Sequence, residues 1–175
     1  MDLRAVQCGT GSIVTSTVYL SLGSNLGDRE RNLETAVARL GDLGWVIAKS
    51  AIYETEPVEV DTEQSWFLNC AVAIKTELSP IDFLQKILAI ERAMGRQRTG
   101  LRSPRNVDID VIFFGDQVID REELKVPHPR MHHRRFVLEP LSEIAAQVVH
   151  PALKRTVQQL LNDLPADSGN MRRVT

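Results

Sequence analysis

Two aspartates near the middle of the chain, Asp108 and Asp110, have the spacing that most directly suggests chemistry. They begin an apolar run, and a strand there would place both carboxylates on one face, roughly 7 Å apart. With an effective dielectric of about 20, the two charges would repel by on the order of 2 kcal/mol. A Mg²⁺ ion, which takes one or two carboxylates plus phosphate oxygens, would relieve this repulsion, whereas a wet strand face is the plainer alternative. The same face is expected to continue with Ile112 and Phe114, so the sequence favours a metal site where a surface becomes apolar.

An arginine-rich loop immediately precedes the aspartates. Residues 95–105 contain no acid and four arginines, which are Arg96, Arg98, Arg102 and Arg105. Arginine makes forked, bidentate contacts with phosphate, and a loop can close over a bound substrate. The pattern therefore predicts a phosphate-binding loop facing the metal site, with an ordinary solvated loop as the alternative.

Two further groups of residues could bind a ligand. His128, His132 and His133 lie among arginines, but without the spacing to a carboxylate or cysteine that is typical of a transition-metal site. A histidine that hydrogen-bonds a phosphate is the favoured interpretation. Phe67 and Asn69 are two residues apart on one predicted strand, so their side chains project side by side from the same face. Ordinary sheet packing is one explanation for these two residues. The other is a ligand site in which the Phe67 ring stacks on a heterocycle and the Asn69 amide hydrogen-bonds the donors and acceptors at its edge.

The elements that must position these residues follow the order strand, helix, strand, strand, helix, strand, then additional helix. Strands are predicted at 17–22, 45–53, 67–75 and 107–114, with a short edge strand at 117–119. Helices are predicted from Asp28 to about Gly41, from Ser79 to Gly95, and at 134–146 and 153–164. This is the split βαββαβ order. It predicts an α+β, ferredoxin-like fold with helices on one face, additional C-terminal helices, and the other face left for loops and ligands.

Composition and charge bound the class of protein. With 175 residues, 43% of them apolar and 25% charged, the chain is expected to form one soluble domain at 17–164, after an N-terminal extension (1–16) and before a C-terminal tail (165–175). The net charge of −2 gives no general reason to expect nucleic acid or an anionic membrane as a partner. Cys8 and Cys70 form no CxxC pair, and no apolar run suits a signal peptide or membrane span. The cytoplasm is therefore the expected location.

Taken together, the motifs resemble the 6-hydroxymethyl-7,8-dihydropterin pyrophosphokinases of folate biosynthesis. The matching runs are residues 20–27, 53–57, 67–69, Glu91 with Gly95-Arg96, Pro104-Arg105 with Asp108-Ile109-Asp110, and 126–128 with Arg134 and Phe136. They cover about residues 17–161, and the Pro-Arg-x-x-Asp-x-Asp run is the most specific. The chain departs from the family's common pattern at residues 101–103, where Arg-Trp-Gly is frequent, and at Pro129, where tyrosine is frequent.

The resemblance implies transfer of pyrophosphate from ATP to the hydroxymethyl group of a reduced pterin, releasing AMP. Asp108 and Asp110 would bind two Mg²⁺ ions, and the loop residues Arg96 and Arg105 would stabilise the transferring group. The implied ATP-binding residues are Glu91, Arg98, His128 and Arg134, and the implied pterin-binding residues are Thr55, Phe67, Asn69 and Phe136, with the two phenylalanines enclosing the ring.

The expected partners are therefore ATP and a reduced pterin, with a monomeric protein and neither nucleic acid nor membrane. An RNA-binding module of the same fold is one alternative, but its usual aromatic strand motif of the K/R-G-F/Y type is missing. A relative that has kept the fold and lost the chemistry is another. Retention of both aspartates and both key arginines counts against that alternative.

Overall fold

The computed structural model describes residues 14–57, 65–95, 105–165 and 168–174. The strands are β1 (Ser16–Ser24), β2 (Trp45–Lys49), β3 (Tyr53–Thr55), β4 (Phe67–Thr76), β5 (Asp108–Phe114), β6 (Ile119–Asp120), β7 (Lys125–Val126) and β8 (Met171–Arg173). The helices are α1 (Arg29–Leu40), α2 (Pro80–Ala93), α3 (Arg135–Ala145) and α4 (Val157–Asn162), with a 3₁₀ turn at Met131–His133. None of the described helices is long and apolar enough to cross a membrane.

A six-stranded antiparallel sheet forms the centre of the molecule. Its order is β5-β1-β4-β3-β8, and β2 also pairs with β4. Strand β1 therefore lies between β4, which carries Phe67 and Asn69, and β5, which carries Asp108 and Asp110. Its register sets Gly23 opposite Asn69 on one side and opposite Asp108 on the other. The predicted α+β, ferredoxin-like architecture is confirmed.

Helices cover both faces of this sheet. On one face α1 and α2 pack against alternate strand residues, in a core that includes Leu20, Leu22, Val72, Leu33 and Phe83. On the other face α3 and α4 form a second core that includes Ala71, Ile112, Phe113, Leu138 and Leu160. The expectation that this second face is left for loops and ligands is thus wrong over part of its area. The C-terminal helices cover its apolar part, and only the polar part stays open.

A β-bulge changes the side to which β5 points. The register with β1 shifts between Tyr19 and Leu20, which pair with Phe113 and Val111. As a result Ile112 and Phe113 both belong to the α3–α4 core, whereas Phe114 returns to the α1–α2 core. The expectation that Phe114 shares a face with the aspartates is therefore wrong, because an extra residue in a strand reverses the alternation beyond it.

Local sequence signals explain where the first two helices begin. The Asp28 side chain accepts a hydrogen bond from the Arg31 amide, and the Ser79 side chain accepts one from the Asp82 amide. Pro80, which has no N–H to satisfy, occupies the first turn of α2. Both caps agree with the sequence prediction. These bonds satisfy backbone donors that a helix cannot pair internally.

Two segments differ from their predicted structure. The strand expected at 45–53 is two strands, β2 and β3, because Ser50 interrupts it. The Ser50 amide donates a hydrogen bond to the Ala71 carbonyl on β4 at 2.9 Å. The Ser50 hydroxyl, in place of its backbone carbonyl, accepts a hydrogen bond from the Ala71 amide at 2.8 Å. The C-terminal residues expected to form a polar tail contain β8, which pairs with β3 and becomes the edge of the sheet. The division of the chain at residues 16 and 164 stays a prediction.

Candidate active site

Asp108 and Asp110 lie on the sheet face opposite α1 and α2. Ile109 and Val111 point into the α1–α2 core, so the intervening aspartates face the other way. The two carboxylates are partly open to solvent, with side-chain exposures of 27% and 38%. They are therefore accessible to a ligand and still fixed by a strand whose other face is buried.

Arg105 lies directly beside the first carboxylate. Its Nη1 is 3.0 Å from the Asp108 Oδ2 atom, so the guanidinium and the carboxylate form an ion pair. The structure thus places one of the four predicted loop arginines at the aspartates. Arg96 and Arg98 lie outside the described residues, and their roles stay predictions.

Asn25 holds the backbone of Arg105 from the neighbouring loop. Its side-chain Oδ1 atom accepts a hydrogen bond from the backbone amide of Arg105 at 2.9 Å. The backbone amide of Asn25 donates a second hydrogen bond to the Arg105 carbonyl at 3.3 Å. Asn25 is only 3% exposed. The sequence favoured a plain turn here. No local signal in the sequence indicates this role, because Arg105 lies 80 residues away along the chain.

The two ends of the arginine-rich loop are also bonded to each other. The Asn106 Nδ2 atom donates to the Met94 carbonyl at 2.7 Å, which joins the end of α2 to the residue after Arg105. Gly95 adopts a φ of 88° at this junction, and a side chain there would come within 3.0 Å of the Asn106 amide nitrogen. Met94 and Asn106, the described residues on either side of the loop, are therefore held next to each other.

Glu91 supports the aspartate strand from behind. It is 2% exposed, and its Oε1 atom accepts a hydrogen bond from the Ile109 amide at 2.8 Å. Ile109 lies between the two aspartates, so this bond fixes the strand at the point where the carboxylates project. The predicted ATP-binding role of Glu91 is a separate matter and stays a prediction.

His128 faces the second aspartate as a neutral donor. Its Nε2 atom lies 4.0 Å from the Asp110 Oδ2 atom, while its Nδ1 atom accepts a hydrogen bond from the Arg130 amide at 3.2 Å. Burial, reinforced by the charges of Arg134 and Arg130, lowers the pKa of His128 to about 4. At neutral pH the ring is therefore uncharged, and because Nδ1 accepts, the proton is on Nε2.

Thr55 and Asn69 form a buried polar pair on the adjacent strands. The Asn69 Nδ2 atom donates to the Thr55 hydroxyl at 2.7 Å, and each residue is 4% exposed. A Cβ atom added to Gly23 would lie 2.9 Å from the Asn69 Oδ1 atom and 3.6 Å from the Phe67 ring. Glycine at position 23 therefore allows Asn69 to pack this closely against β1.

Strand register relates this polar pair to the aspartates. Asn69, Gly23 and Asp108 occupy one row across three neighbouring strands, and the separation of Asn69 from Asp108 is roughly 10 Å at the usual spacing of strands. The Asn69 amide, which can hydrogen-bond a heterocycle, and the Asp108 carboxylate, which can bind a metal, thus lie on one face of the sheet. The distance between them is about the length of a small molecule.

Phe136 is presented by the first turn of α3. Its ring packs at the border of the second core, and the Arg134 guanidinium carbon lies 5.4 Å from the ring centroid. Phe136 and Thr55 line one narrow cavity, together with residues 168–171. The structure therefore brings Phe136 and Thr55 to one place and sets Asn69 against Thr55.

Glu143 fastens α3 to β3. Its two carboxylate oxygens accept hydrogen bonds from the Tyr53 hydroxyl and the Ala51 amide, each at 2.7 Å. Burial, together with the bond to Glu143, raises the pKa of Tyr53 to about 12. Burial on its own would raise the pKa of Glu143, but the bonds from Ala51 and Tyr53 lower it instead. No local pattern predicts this connection, because Tyr53 and Glu143 are about 90 residues apart along the chain.

The remaining histidines form no metal cage. The rings of His132 and His133 lie 3.9 Å apart between centroids, and the His132 ring meets His150 edge-on at 6.4 Å. Within the described ranges, no three or more His, Cys, Asp or Glu side chains are grouped to hold a metal. Two carboxylates without a protein cage fit Mg²⁺, which completes its shell with water and substrate phosphate.

With this geometry in place, the chain can be compared with known proteins. A family model described as 7,8-dihydro-6-hydroxymethylpterin-pyrophosphokinase (HPPK) matches residues 19–146. The chain belongs to the HPPK family. The resemblance inferred from the motifs is thereby confirmed, and so is the expectation of a pyrophosphokinase, a class of transferase, at the level of the family.

Curated HPPK relatives match over most of the chain. A 2-amino-4-hydroxy-6-hydroxymethyldihydropteridine pyrophosphokinase of Bacillus subtilis is 44% identical, over 83% of this chain and 88% of its own. The same-named protein of Methylorubrum extorquens is 47% identical, over 75% and 84%. The folic acid synthesis protein FOL1 of Dictyostelium discoideum is 40% identical over 90% of this chain, but the match spans only 24% of FOL1.

The fold is also found in solved HPPK structures. A crystal structure of Plasmodium falciparum HPPK-DHPS superimposes with a TM-score of 0.71 at 19% identity, covering 87% of this chain and 46% of the other. At this identity the likeness concerns the fold. The HPPK fold thus occurs both in short chains and as one part of longer ones.

Proposed function

We propose that this chain transfers pyrophosphate from ATP to the hydroxymethyl group of 6-hydroxymethyl-7,8-dihydropterin with the help of Mg²⁺, releasing AMP in folate biosynthesis. The observation that carries the proposal is the row Asn69, Gly23 and Asp108 on one sheet face, in which Asn69 is buried and Asp108 is partly exposed. This row provides an amide that can hydrogen-bond the pterin and a carboxylate that can bind the metal. The distance between them is one that the pterin and the ATP phosphates together can span.

The pterin is held at the β3–β4 side of this row. Asn69 offers an amide, whose donor and acceptor can both pair with the edge of a pterin, and Thr55 fixes the orientation of that amide. Phe67 and Phe136 supply apolar ring faces for stacking. The hydroxymethyl group would then point along the row towards the aspartates.

The triphosphate is held at the β5 side of the row. Asp108 and Asp110 are the residues that would hold Mg²⁺, with two ions expected. When bound, the metal spreads the negative charge that the phosphates carry and develop. Arg105 adds a forked cation beside Asp108, and His128 adds a neutral N–H donor beside Asp110. Arg96, Arg98 and Arg134 are the further phosphate contacts that we propose.

The chemistry is a single displacement at the β-phosphorus of ATP. The pterin hydroxyl oxygen forms a bond to this phosphorus, the bond from the phosphorus to the oxygen shared with the α-phosphate breaks, and AMP leaves with that oxygen. The hydroxyl proton passes to solvent. No protein nucleophile is needed, so catalysis rests on positioning and charge stabilisation. We further propose that the protein acts as a monomer in the cytoplasm, without nucleic acid.

The test is AMP formation with ATP, Mg²⁺ and the reduced pterin, compared with reactions that lack the pterin or contain a chelator. We expect AMP and pterin diphosphate in equal amounts only in the complete reaction. Asp110→Ala should lower turnover at least ~100-fold, because metal stabilisation of phosphoryl charge is worth several kcal/mol. Asp120→Ala, which breaks an exposed ion pair with Lys125, is the matched control. Absence of AMP with folded wild-type protein would refute the proposal.

A further inference from the structure

The C-terminal segment, residues 168–174, is bonded along the whole length of β3. Strand β8 within it pairs with β3, so that Met171 lies opposite Thr55. Beyond the strand, the Glu56 amide donates to the Asn170 carbonyl at 3.1 Å, and the Val174 amide donates to the Ile52 carbonyl at 2.8 Å. Because β3 has only three residues, its outer edge depends on this segment for its hydrogen bonds.

Arg135 connects the same segment to α3. Its Nε atom donates to the Ser168 hydroxyl at 2.7 Å, and its Nη2 atom donates to the Pro165 carbonyl at 3.2 Å. The third donor, Nη1, bonds Glu139 one turn along the helix at 3.1 Å. The planar guanidinium therefore joins two parts of the chain that are about 30 residues apart.

The start of α3 depends on this connection. Among the described residues, no side chain caps the helix at Arg134. Phe136 belongs to this first turn, so its position relative to the sheet is set by contacts made outside the helix. Arg135, its immediate neighbour, makes two of these contacts.

The C-terminal segment also forms a wall of the cavity between β3 and α3. Thr55 and Glu56 line the β3 side, Arg135 and Phe136 line the α3 side, and residues 168–171 close the remainder. Arg135 thus bonds α3 to the C-terminal wall of this cavity, in addition to the bonds by which Glu143 joins α3 to β3.

We infer that Arg135 is a positioning residue for the pterin, acting through the C-terminal segment to set the distance between Thr55 and Phe136. This inference rests on the proposed function. Arg135 need not touch the substrate to act, because each of its three nitrogens already donates a hydrogen bond within the protein. Its effect should therefore be larger for the pterin than for ATP, because the proposed metal ligands Asp108 and Asp110 lie on β5, although the proposed phosphate contact Arg134 adjoins Arg135.

The test separates the KM for the pterin from the KM for ATP. Arg135→Ala should raise the pterin KM about tenfold, and Ser168→Ala should raise it about threefold, because charge-assisted hydrogen bonds are lost. The ATP KM should stay within about twofold in both variants. Arg135→Lys should not restore the pterin KM, because an ammonium cannot reproduce the planar fork.

Two variants serve as controls. Glu139→Ala removes the partner of Arg135 that lies within the helix and leaves both bonds to the C-terminal part of the chain, so the pterin KM should stay within about twofold. Arg155→Ala removes an arginine from an exposed ion pair with Asp163, the residue after α4, and should change neither KM. Hydrogen exchange gives a readout that does not depend on turnover: the amides of Glu56 and Val174 should exchange faster in Arg135→Ala than in either control.

Each result has one meaning. An active wild type with an unchanged pterin KM in Arg135→Ala would overturn the inference and leave the proposed function intact. Equal rises in the KM for the pterin and for ATP, or a fall in kcat alone, would assign Arg135 a general structural role and overturn it as well. An inactive wild type would refute the proposed function and this inference with it.

Discussion

A methyl group added at Gly23 would test the proposed arrangement at its centre. Gly23→Ala would place a Cβ atom 2.9 Å from the Asn69 Oδ1 atom, whereas non-bonded heavy atoms prefer ~3.5 Å or more. Phe67, at 3.6 Å, would be in ordinary contact. Among the described residues no other atom lies within 4 Å, so Asp108 would not be touched. The change is therefore directed at the pterin side of the row.

The size of the effect follows from these contacts. The Asn69 amide must move by about 0.5 Å, which lengthens or bends its 2.7 Å bond to Thr55 and leaves a buried polar pair poorly bonded, at a cost of at most about 1–3 kcal/mol. Replacing a strand glycine by alanine returns about 0.5–1 kcal/mol of backbone entropy. The net loss of about 0–2 kcal/mol is small beside a typical folding stability of ~5–15 kcal/mol, so the variant should fold. Pterin binding should weaken ~10–100-fold, since 1.4 kcal/mol corresponds to tenfold.

The assay is a steady-state measurement of AMP formation in which each substrate is varied in turn, with thermal unfolding as the check of folding. Gly41→Ala is the matched control, because Gly41 lies at the end of α1 with a helical φ of −58°. We expect the pterin KM to rise and the ATP KM to stay the same. An unchanged pterin KM in folded Gly23→Ala would show that the space in front of Asn69 is not used by the substrate.

Three further results are expected. Arg105→Ala should slow the transfer step in single-turnover experiments much more than it weakens ATP binding, and the opposite pattern would make Arg105 a ground-state contact. Tyr53→Phe should lower the free energy of unfolding by about 1–2 kcal/mol in a denaturant titration, because Glu143 loses a buried donor, and an unchanged midpoint would contradict this role. Stability should fall as pH drops below about 6.5, because burial lowers the pKa of His150, as it does those of His128 and His132, so the unfolded chain binds these protons more readily. The His150 Nδ1 atom accepts hydrogen bonds from the amides of Leu153 and Ala152, at 3.1 and 3.2 Å. His150→Asn should therefore make the dependence of stability on pH less steep. An equally steep curve in this variant would assign the pH dependence to other groups.

Much of the fold could be predicted from the sequence because its signals are local. The caps at Asp28 and Ser79, the alternation along β4 and the spacing of Asp108 and Asp110 each depend on residues that are close in sequence. The position of Asn69 beside Asp108 could not be derived in this way. It follows from the register of three strands, which is fixed only when the sheet assembles.

The features that were missed depend on distant partners. Nothing near Asn25 indicates that it binds the backbone of Arg105, 80 residues away. The bulge in β5 reverses the side of Phe114 without any glycine or proline to mark it. The segment at Met171–Arg173 is short and polar, and it forms a strand because β3 offers an unpaired edge. In each case a tertiary contact decides a conformation that local propensity leaves open.

The closed base of the arginine-rich loop has a consequence for how such an enzyme can vary. Asn106 and Met94 join the two ends of the loop, and Asn25 and Glu91 fix the strand that follows. The cost of closing a loop rises only with the logarithm of its length, so one residue added to the eleven between Met94 and Asn106 costs about 0.1 kcal/mol. A change in the length of this loop should therefore cost little closure entropy and leave in place the carboxylates, which β5 holds.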